Sequence, residues 1–271
     1  MRDRDRDRFN AALLCARLGS ENVTSIEIDP EVADGARKAL AGAGFRPCLV
    51  TGDGADGYRP NAPYDRVIAT AAVGRVPYAW VAQTRPGGRV LTPWASAYHN
   101  GALLALTVDA DGTASGGFVG NVAFMWLRAQ RTPIASVEDD VHDLDAAETA
   151  TTELHPYDVV GEYDASLAIG LRVPSRKNIV VRAEDGSGAY TVWFVDQGSG
   201  SWASISSTPD AATYPVRQFG RRRLWDEIEA AYRWWDGHGR PGRERYGMTV
   251  TPSGQRVWLD DPVNGVTDAG S

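Results

Sequence analysis

The chain has 271 residues, of which 43% are hydrophobic and 23% charged; this is ordinary for a soluble globular protein and long enough to suggest two domains. A net charge of −7 and an isoelectric point near 5.2 argue against nucleic-acid or acidic-membrane surfaces, and the apolar run Ala11–Ala16 is too short to span a membrane or act as a signal core. Cys15 and Cys48 belong to no spaced Cys/His set, so we expect reduced thiols, no metal and a cytoplasmic location.

The first segment is charged and then turns helical. Met1–Arg8 alternates arginine and aspartate without an apolar face, which predicts disorder or fraying. Asn10–Leu18 is predicted to be a helix with Ala11, Leu14 and Leu18 on one face, ended by Gly19. In an alternating fold such a helix follows a strand and a glycine-rich turn, and neither precedes it in this sequence.

A strand followed by a capped helix forms the next unit. Val23–Ile28 is β-branched and apolar, which predicts a short buried strand whose carboxyl end carries Glu27. Asp29-Pro30-Glu31 provides an N-cap, a first-turn proline and a first-turn acid, and Gly42 and Gly44 end the helix. In open α/β sheets ligands bind at the carboxyl ends of strands, where an acid can accept hydrogen bonds from both ribose hydroxyls. Glu27 is therefore a candidate nucleotide ligand.

A second strand leads into a glycine-flanked aspartate. Arg46–Thr51 is the predicted strand, and Gly52-Asp53-Gly54 follows it directly. Glycines on both sides would let the backbone approach a ligand while the carboxylate points at it. The same three residues also fit a tight turn with a solvated aspartate, and the pattern alone leaves both interpretations open.

The remaining elements of the first half predict an α/β fold. Strands that alternate with helices and finish in a hairpin are typical of a mostly parallel sheet with an antiparallel edge. The predicted elements are a buried strand Tyr64–Ala72, a helix Pro77–Thr84 with Val81 inward, a turn Arg85–Gly88, a strand Arg89–Pro93, and the antiparallel pair Ala102–Val108 and Gly117–Phe124.

These motifs carry a family resemblance. The ordered series SIEIDPE, GDG, APYDRVIATAA and RPGGRVLTPW resembles protein-L-isoaspartate O-methyltransferases, which are class I S-adenosyl-L-methionine-dependent methyltransferases. The resemblance covers roughly residues 10–131. It implies a Rossmann-like sheet that lacks its first strand and glycine loop.

The resemblance also implies a set of cofactor-binding residues. Glu27 would hold the ribose hydroxyls, and Gly52, Asp53 and Gly54 would lie at the cofactor, the last two at the adenine. Thr70 and Ala71, with Ala72, would line the methyl-transfer pocket. The spacing of Glu27 and Asp53 fits a dinucleotide site equally well, so the resemblance decides between the two cofactors. No catalytic residue and no metal ligand is assigned.

The implied reaction transfers a methyl group to an aspartyl or isoaspartyl carboxylate of a protein or peptide. An ionised carboxylate is already nucleophilic, so the reaction needs no general base, and alignment of the reacting atoms can contribute roughly 7 to 11 kcal/mol. The four histidines fall in predicted turns or loops, where surface or packing roles are expected (His99, His142, His155 and His238).

The start of the chain departs from the family pattern. The family carries a strand and a GxGxG loop before the first helix, and this sequence has MRDRDRDRF there. We therefore expect an N-terminally shortened methyltransferase, produced by a misplaced start, a frameshift or gene decay. The alternative is a catalytically impaired relic or a non-catalytic peptide-binding protein with the same fold.

The second half is predicted to form a separate unit. The predicted domains are 1–131, the partial methyltransferase; 132–153, an acidic linker; 154–262, a small α+β domain; and 263–271, a disordered tail. The α+β prediction rests on a three-stranded meander within 178–206, an amphipathic helix Arg222–Trp235 and a hairpin around Pro252–Gly254.

Six tryptophans of this second unit admit two interpretations. They most simply form its core and its seam against the first domain. Alternatively, exposed aromatic residues and the cluster Arg221–Arg223 grip a peptide. This extension loosely resembles those of actinobacterial methyltransferases that modify ribosomally made peptides, which would make the partner a leader or core peptide.

Overall fold

The computed structural model describes the backbone of residues 6–266 and the side chains from residue 9 onward. Within that range the chain forms seven α-helices and thirteen strands. The helices are α1 Arg6–Leu18, α2 Pro30–Gly42, α3 Tyr78–Ala82, α4 Val137–Asp140, α5 Pro156–Val160, α6 Tyr163–Arg172 and α7 Leu224–Gly237. The strands are β1 Thr24–Glu27, β2 Cys48–Thr51, β3 Tyr64–Ile68, β4 Thr84–Trp94, β5 Ala102–Val108, β6 Ala114–Asn121, β7 Glu148–Thr152, β8 Lys177–Arg182, β9 Tyr190–Asp196, β10 Ser201–Ser207, β11 Tyr214–Phe219, β12 Tyr246–Thr251 and β13 Gly254–Leu259.

The first sheet is a parallel pair joined by α2. β1 pairs with β2 from Thr24 opposite Cys48 to Glu27 opposite Thr51. Asp29 caps α2 as predicted, because its Oδ1 accepts hydrogen bonds from the backbone N–H of Glu31 at 2.9 Å and of Val32 at 3.3 Å. The cap turns the chain sharply at the carboxyl end of β1 and leaves Glu27 at that edge.

The second sheet has six strands in the order β13-β12-β6-β5-β4-β3. β3 and β4 are parallel, and every other neighbouring pair is antiparallel. The predicted α/β class, with parallel pairs and an antiparallel edge, is confirmed. The antiparallel part is larger than the sequence indicated because the C-terminal hairpin β12–β13 joins it through β6.

An opening separates the two sheets. β1 pairs only with β2 and β3 pairs only with β4, so each strand has an edge without a neighbouring strand among the described residues. The prediction that these strands are buried is wrong for much of their length: all four residues of β1 are half-buried and Ile68 in β3 is 50% exposed. The reason is that no central strand lies between the two edges in the part of the chain that the structure describes.

The third sheet is antiparallel, in the order β7-β11-β10-β9-β8. The predicted meander is confirmed as β8, β9 and β10, and α6 and α7 are buried beside it. The core of this unit includes Phe194, Ile205, Leu224 and Ile228, each with 0% exposure. These side chains support the packing interpretation of the neighbouring Trp202 and Trp225.

The structure departs from the predicted domain bounds in three places. The linker 132–153 contains β7, which pairs with β11 because alternating threonines in 148–152 suit an edge strand. The hairpin assigned to the second domain belongs to the six-stranded sheet. Val266, in the predicted tail, is 1% exposed and donates its N–H to the Val257 carbonyl at 3.0 Å. Residues 267–271 lie outside the described range.

Three smaller predictions need correction or restriction. Residues 1–5 of the predicted disordered leader lie outside the described range, and Arg6 already begins α1. Leu18 is 50% exposed because Cys15, not Leu18, fills the inner face of α1. The predicted turn Arg85–Gly88 lies inside β4, where Gly87 has a φ of 74° and the pairing with β3 shifts register.

Within residues 6–266, no helix combines the length and hydrophobicity that crossing a membrane requires.

Candidate cofactor and methyl-transfer site

A cavity of about 260 Å³ occupies the opening between β1 and β3. Residues 23–27 of the β1 segment line one wall, and residues 66–71 of β3 and its extension line the opposite wall. Side chains of α1 and α2 close one face, including Leu14, Val32 and Leu40. The carboxyl ends of two parallel-paired strands therefore border one largely apolar space, the place at which α/β sheets bind ligands.

Glu27 lies on the rim of this cavity with one carboxylate oxygen fixed. Its Oε1 accepts a hydrogen bond from the Asp29 N–H at 2.8 Å, the amide at the start of the α2 cap. The side chain is half-buried and borders the cavity. Because this bond uses only one acceptor site, the carboxylate keeps capacity for hydroxyl donors. A hydrogen bond from the backbone thus positions Glu27, the residue predicted to bind the ribose.

The glycine-flanked aspartate forms a local turn beside the cavity. Asp53 Oδ1 accepts from the Ala55 N–H at 2.9 Å and caps a short 3₁₀ turn over residues 54–56, which favours the turn interpretation for that carboxylate. Gly54 lines the cavity, whereas Gly52 and Asp53 lie next to it without lining it. A methyl group added at Gly52 would meet no atom within 4 Å, so the backbone there stays open to a ligand.

Thr70 and Ala71 complete the set on the opposite wall. Both residues extend β3 into the cavity lining. Beyond them, the Ala72 N–H donates to the Met125 carbonyl at 2.8 Å and the Leu127 N–H donates to the Ala72 carbonyl at 2.9 Å. The structure therefore brings four of the six predicted cofactor residues around one cavity: Glu27, Gly54, Thr70 and Ala71.

Two lining residues were missed by the sequence reasoning. Trp80 is 5% exposed, and its Nε1 donates to the Gly54 carbonyl at 2.7 Å, which fixes the glycine turn against α3. Leu127 approaches Gly54 from the segment after β6. Neither residue lies in a ligand-like motif, so only the tertiary structure relates them to the site.

Two further ionisable groups border the cavity from β3. They are Arg66 and Tyr64, and partial burial raises the pKa of the Tyr64 phenol above its ordinary value. Among the described lining residues there is no histidine or cysteine.

His99 and two members of the arginine cluster are used structurally. His99 is 2% exposed and lies edge-on to the Tyr163 ring, as a packing histidine would. Arg222 bonds to Glu227 at 2.7 Å and to Asp196 at 3.1 Å, and Arg223 pairs with Glu148. These intramolecular partners weaken the hypothesis that Arg221–Arg223 grips a peptide, since Arg221 is the one member of the cluster that is exposed.

The residues present fit the nucleoside half of the predicted cofactor. An acid at the end of β1, an open glycine backbone at the end of β2 and small residues beyond β3 border a single cavity. The donor set contains carboxylate and backbone groups, which suit ribose hydroxyls and a base edge.

The family comparison agrees with these elements. Residues 8–132 match the family model described as Protein-L-isoaspartate(D-aspartate) O-methyltransferase (PCMT). The matched range contains all six predicted cofactor residues, and it ends at the segment that follows Leu127.

Curated relatives carry the same name. A protein-L-isoaspartate O-methyltransferase of Thermococcus onnurineus is 37% identical over 121 residues, which are 44% of this chain and 54% of the relative. A protein-L-isoaspartate O-methyltransferase 1 of Anaeromyxobacter sp. is 45% identical over 106 residues, 38% of this chain and 49% of the relative. The chain thus spans about half the length of the curated relatives it matches.

A solved structure of a protein-L-isoaspartate O-methyltransferase also aligns with this chain. The alignment covers 93% of this chain and 73% of that one, at 19% sequence identity and a TM-score of 0.48.

Proposed function

From the match of residues 8–132 to the protein-L-isoaspartate O-methyltransferase family model, we propose that this chain is an S-adenosyl-L-methionine-dependent O-methyltransferase. Its acceptor is an aspartyl or isoaspartyl carboxylate of a protein or peptide. The observation that carries the proposal is the single cavity bordered by Glu27, Gly54, Thr70 and Ala71. We further propose a cytoplasmic location and no nucleic-acid or membrane partner.

Each residue has a defined part in this proposal. Glu27 holds the ribose through its carboxylate, and the Gly52–Gly54 backbone, supported by Trp80, borders the base. When bound, S-adenosyl-L-methionine supplies the electrophilic methyl group. Thr70 and Ala71 form the wall along which the acceptor carboxylate is placed, and the apolar side chains around them exclude water.

The rate advantage comes from placement of the acceptor. The carboxylate oxygen carries its charge before reaction, so no lining residue has to remove a proton. Holding the oxygen in line with the methyl group can contribute roughly 7 to 11 kcal/mol of barrier reduction. The lack of a histidine or cysteine among the described lining residues accords with this chemistry.

Calorimetric titration with S-adenosylhomocysteine, the product form of the cofactor, tests the proposal. We expect micromolar binding by the wild-type chain and a loss of about ten-fold or more in Glu27→Gln, since a hydrogen bond to a charged group contributes about 1.5–3 kcal/mol. The amide oxygen of the introduced side chain can still accept the Asp29 N–H, so the substitution removes charge while keeping the cap.

Glu31→Gln is the matched control, because Glu31 is exposed in the first turn of α2 and does not line the cavity. Equal affinity of the wild type and Glu27→Gln would contradict the role of Glu27. Absence of both binding and methyl transfer to an isoaspartyl peptide would contradict the proposed activity of this chain.

A further inference from the structure

A second cleft lies where the six-stranded and five-stranded sheets meet. Its volume is about 520 Å³, and its walls come from the end of β4, the start of β8 and the end of β9. Beside it, the Ala97 N–H donates to the Pro174 carbonyl at 2.9 Å and Asn178 Nδ2 donates to the Tyr98 carbonyl at 3.0 Å. These bonds join the two sheets, so the cleft has fixed walls.

One wall is a turn held by two glutamines. Gln130 Oε1 accepts the N–H groups of Gly74 and Arg75, each at 2.9 Å, and its Nε2 donates to the Arg75 carbonyl at 2.7 Å. Gln255 Nε2 donates to the Gly74 carbonyl at 2.7 Å, while its Oε1 accepts the Val76 N–H at 2.9 Å. The backbone that carries Arg75 is therefore preorganised at the cleft.

The charged groups at this cleft are predominantly positive. Arg75 and Lys177 line it, and neither forms an ion pair within the described part of the chain. Partial burial lowers the pKa of Lys177, against the opposing effect of the Asp140 carboxylate. Asp140 already accepts from the Ser136 N–H at 2.9 Å and from Gln197 Nε2 at 3.1 Å.

The acid inside the cleft is neutralised. Asp196 is 6% exposed; its Oδ2 pairs with Arg222 at 3.1 Å and accepts from Ser199 Oγ at 2.8 Å. Two more cations, Arg128 and Arg131, are exposed on the segment after β6. In a chain with a net charge of −7, Arg75 and Lys177 thus give the lining of this cleft a positive charge, which is complementary to an acidic partner.

An apolar strap joins this cleft to the cofactor cavity. We call residues 124–127 the strap; Leu127 lines the cofactor cavity and Trp126 lines the second cleft. Phe124 and Met125 on the strap are 41% and 62% exposed. Ala71 borders one cavity and Gly74 the other, and three residues of extended chain span about 10 Å.

We propose that the second cleft binds a carboxylate of the peptide substrate between Arg75 and Lys177, so that this chain acts on acidic peptides. The peptide crosses the strap with its acceptor residue at Thr70–Ala71 and a second acidic residue three or four positions away in the cleft. Trp126 and the exposed Met125 contact the intervening side chains. This inference rests on the proposed function, since that function places the acceptor in the first cavity.

Binding of fluorescent decapeptides to the full chain, without cofactor, tests this inference. One peptide carries the acceptor aspartate and a second aspartate three residues later, and its partner carries asparagine at the second position. We expect the acidic peptide to bind about ten- to hundred-fold more tightly by fluorescence anisotropy, with the difference shrinking at high salt.

The double variant Arg75→Gln/Lys177→Gln should remove this preference. Arg182→Gln, an exposed arginine at the far end of β8, is the control and should retain it. Equal affinity for the two peptides, no peptide binding, or a preference that survives in the double variant would overturn the inference. Because peptide binding is measured without cofactor, it is independent of the methyl-transfer assay. Failure of methyl transfer alone would contradict the proposed activity and would not bear on this inference.

Discussion

His99 is a neutral imidazole built into the seam between the sheets. Its Nδ1 lies 3.2 Å from Ser166 Oγ on α6, and its ring meets the Tyr163 ring edge-on. Burial is the main reason that its pKa falls from 6.5 to about 4; the Gly101 backbone opposes this fall, and the positive charge of Arg243 adds to it. The affinity of His99 for a proton is therefore lower in the folded chain than in the unfolded chain.

This difference predicts an acid-sensitive fold. The stabilisation is complete above pH 6.5 and is lost as the pH falls towards about 4, because the unfolded state then binds the additional proton. The free energy of unfolding from urea titrations should fall by up to about 3 kcal/mol more in the wild type than in His99→Gln over this range.

His238→Gln provides the comparison, since His238 is exposed at the end of α7. It should keep the pH dependence of the wild type. If His99→Gln and the wild type lost stability in parallel between pH 7 and pH 4, the buried imidazole would not be the titrating group.

At the scale of elements, local signals decided what the sequence could predict. The Asp29 cap and the apolar run Ala102–Val108 were sufficient because each is a short-range pattern. α6 was missed because seven consecutive residues, 165–171, are buried, so its sequence has no polar face to reveal the helical period. The sequence did not indicate β11, because Tyr214-Pro215 resembles a turn. In the structure this proline is tolerated opposite Thr151 of the edge strand β7.

The β12–β13 hairpin depends on one glycine. A methyl group added at Gly247 would overlap the Trp258 ring across the hairpin, and Trp258 Nε1 is held by Thr249 Oγ1 at 3.1 Å. Gly247→Ala should therefore lower the free energy of unfolding by about 1–3 kcal/mol, the usual cost of overpacking. Because β12 pairs with β6, the thermal transition of the six-stranded sheet should shift as well.

Gly237→Ala is the matched control for that substitution. Gly237 ends α7, and a methyl group there would meet nothing within 4 Å. The melting temperature of the Gly237→Ala chain should equal or exceed that of the wild type, since alanine favours the helix. A Gly247→Ala chain that melted with the wild type would mean that Trp258 can move aside without cost.

At the scale of the whole molecule, the sequence indicated residues that line the first cavity but none that indicated the second cleft. Glu27, Gly54, Thr70 and Ala71 fall in motifs, and they surround one cavity in the structure. The second cleft had no sequence signal, because Arg75 and Lys177 are brought together by the contact of two sheets. Such a site forms where the two sheets meet, and no spacing of residues along the sequence predicts it.

The opening between β1 and β3 divides the molecule into parts of unequal protection. The β1–β2 unit is held to the larger body by few polar contacts, among them Asn61 Nδ2 to Thr24 Oγ1 at 2.9 Å and Gln83 Nε2 to the Asp56 carbonyl at 2.7 Å. Its strands are half-buried, whereas β5 carries four residues below 9% exposure. Stability should therefore differ between the two parts.

Native-state amide hydrogen exchange would measure this difference directly. Amides of residues 24–51 should exchange through a partial opening whose free energy lies below that of global unfolding, while those of β4–β6 exchange only when the whole chain unfolds. Uniform protection across both parts would mean one cooperative unit. If the two parts differ as expected, S-adenosylhomocysteine should slow amide exchange selectively in the β1–β2 unit. The cofactor would then also fasten this unit to the rest of the fold.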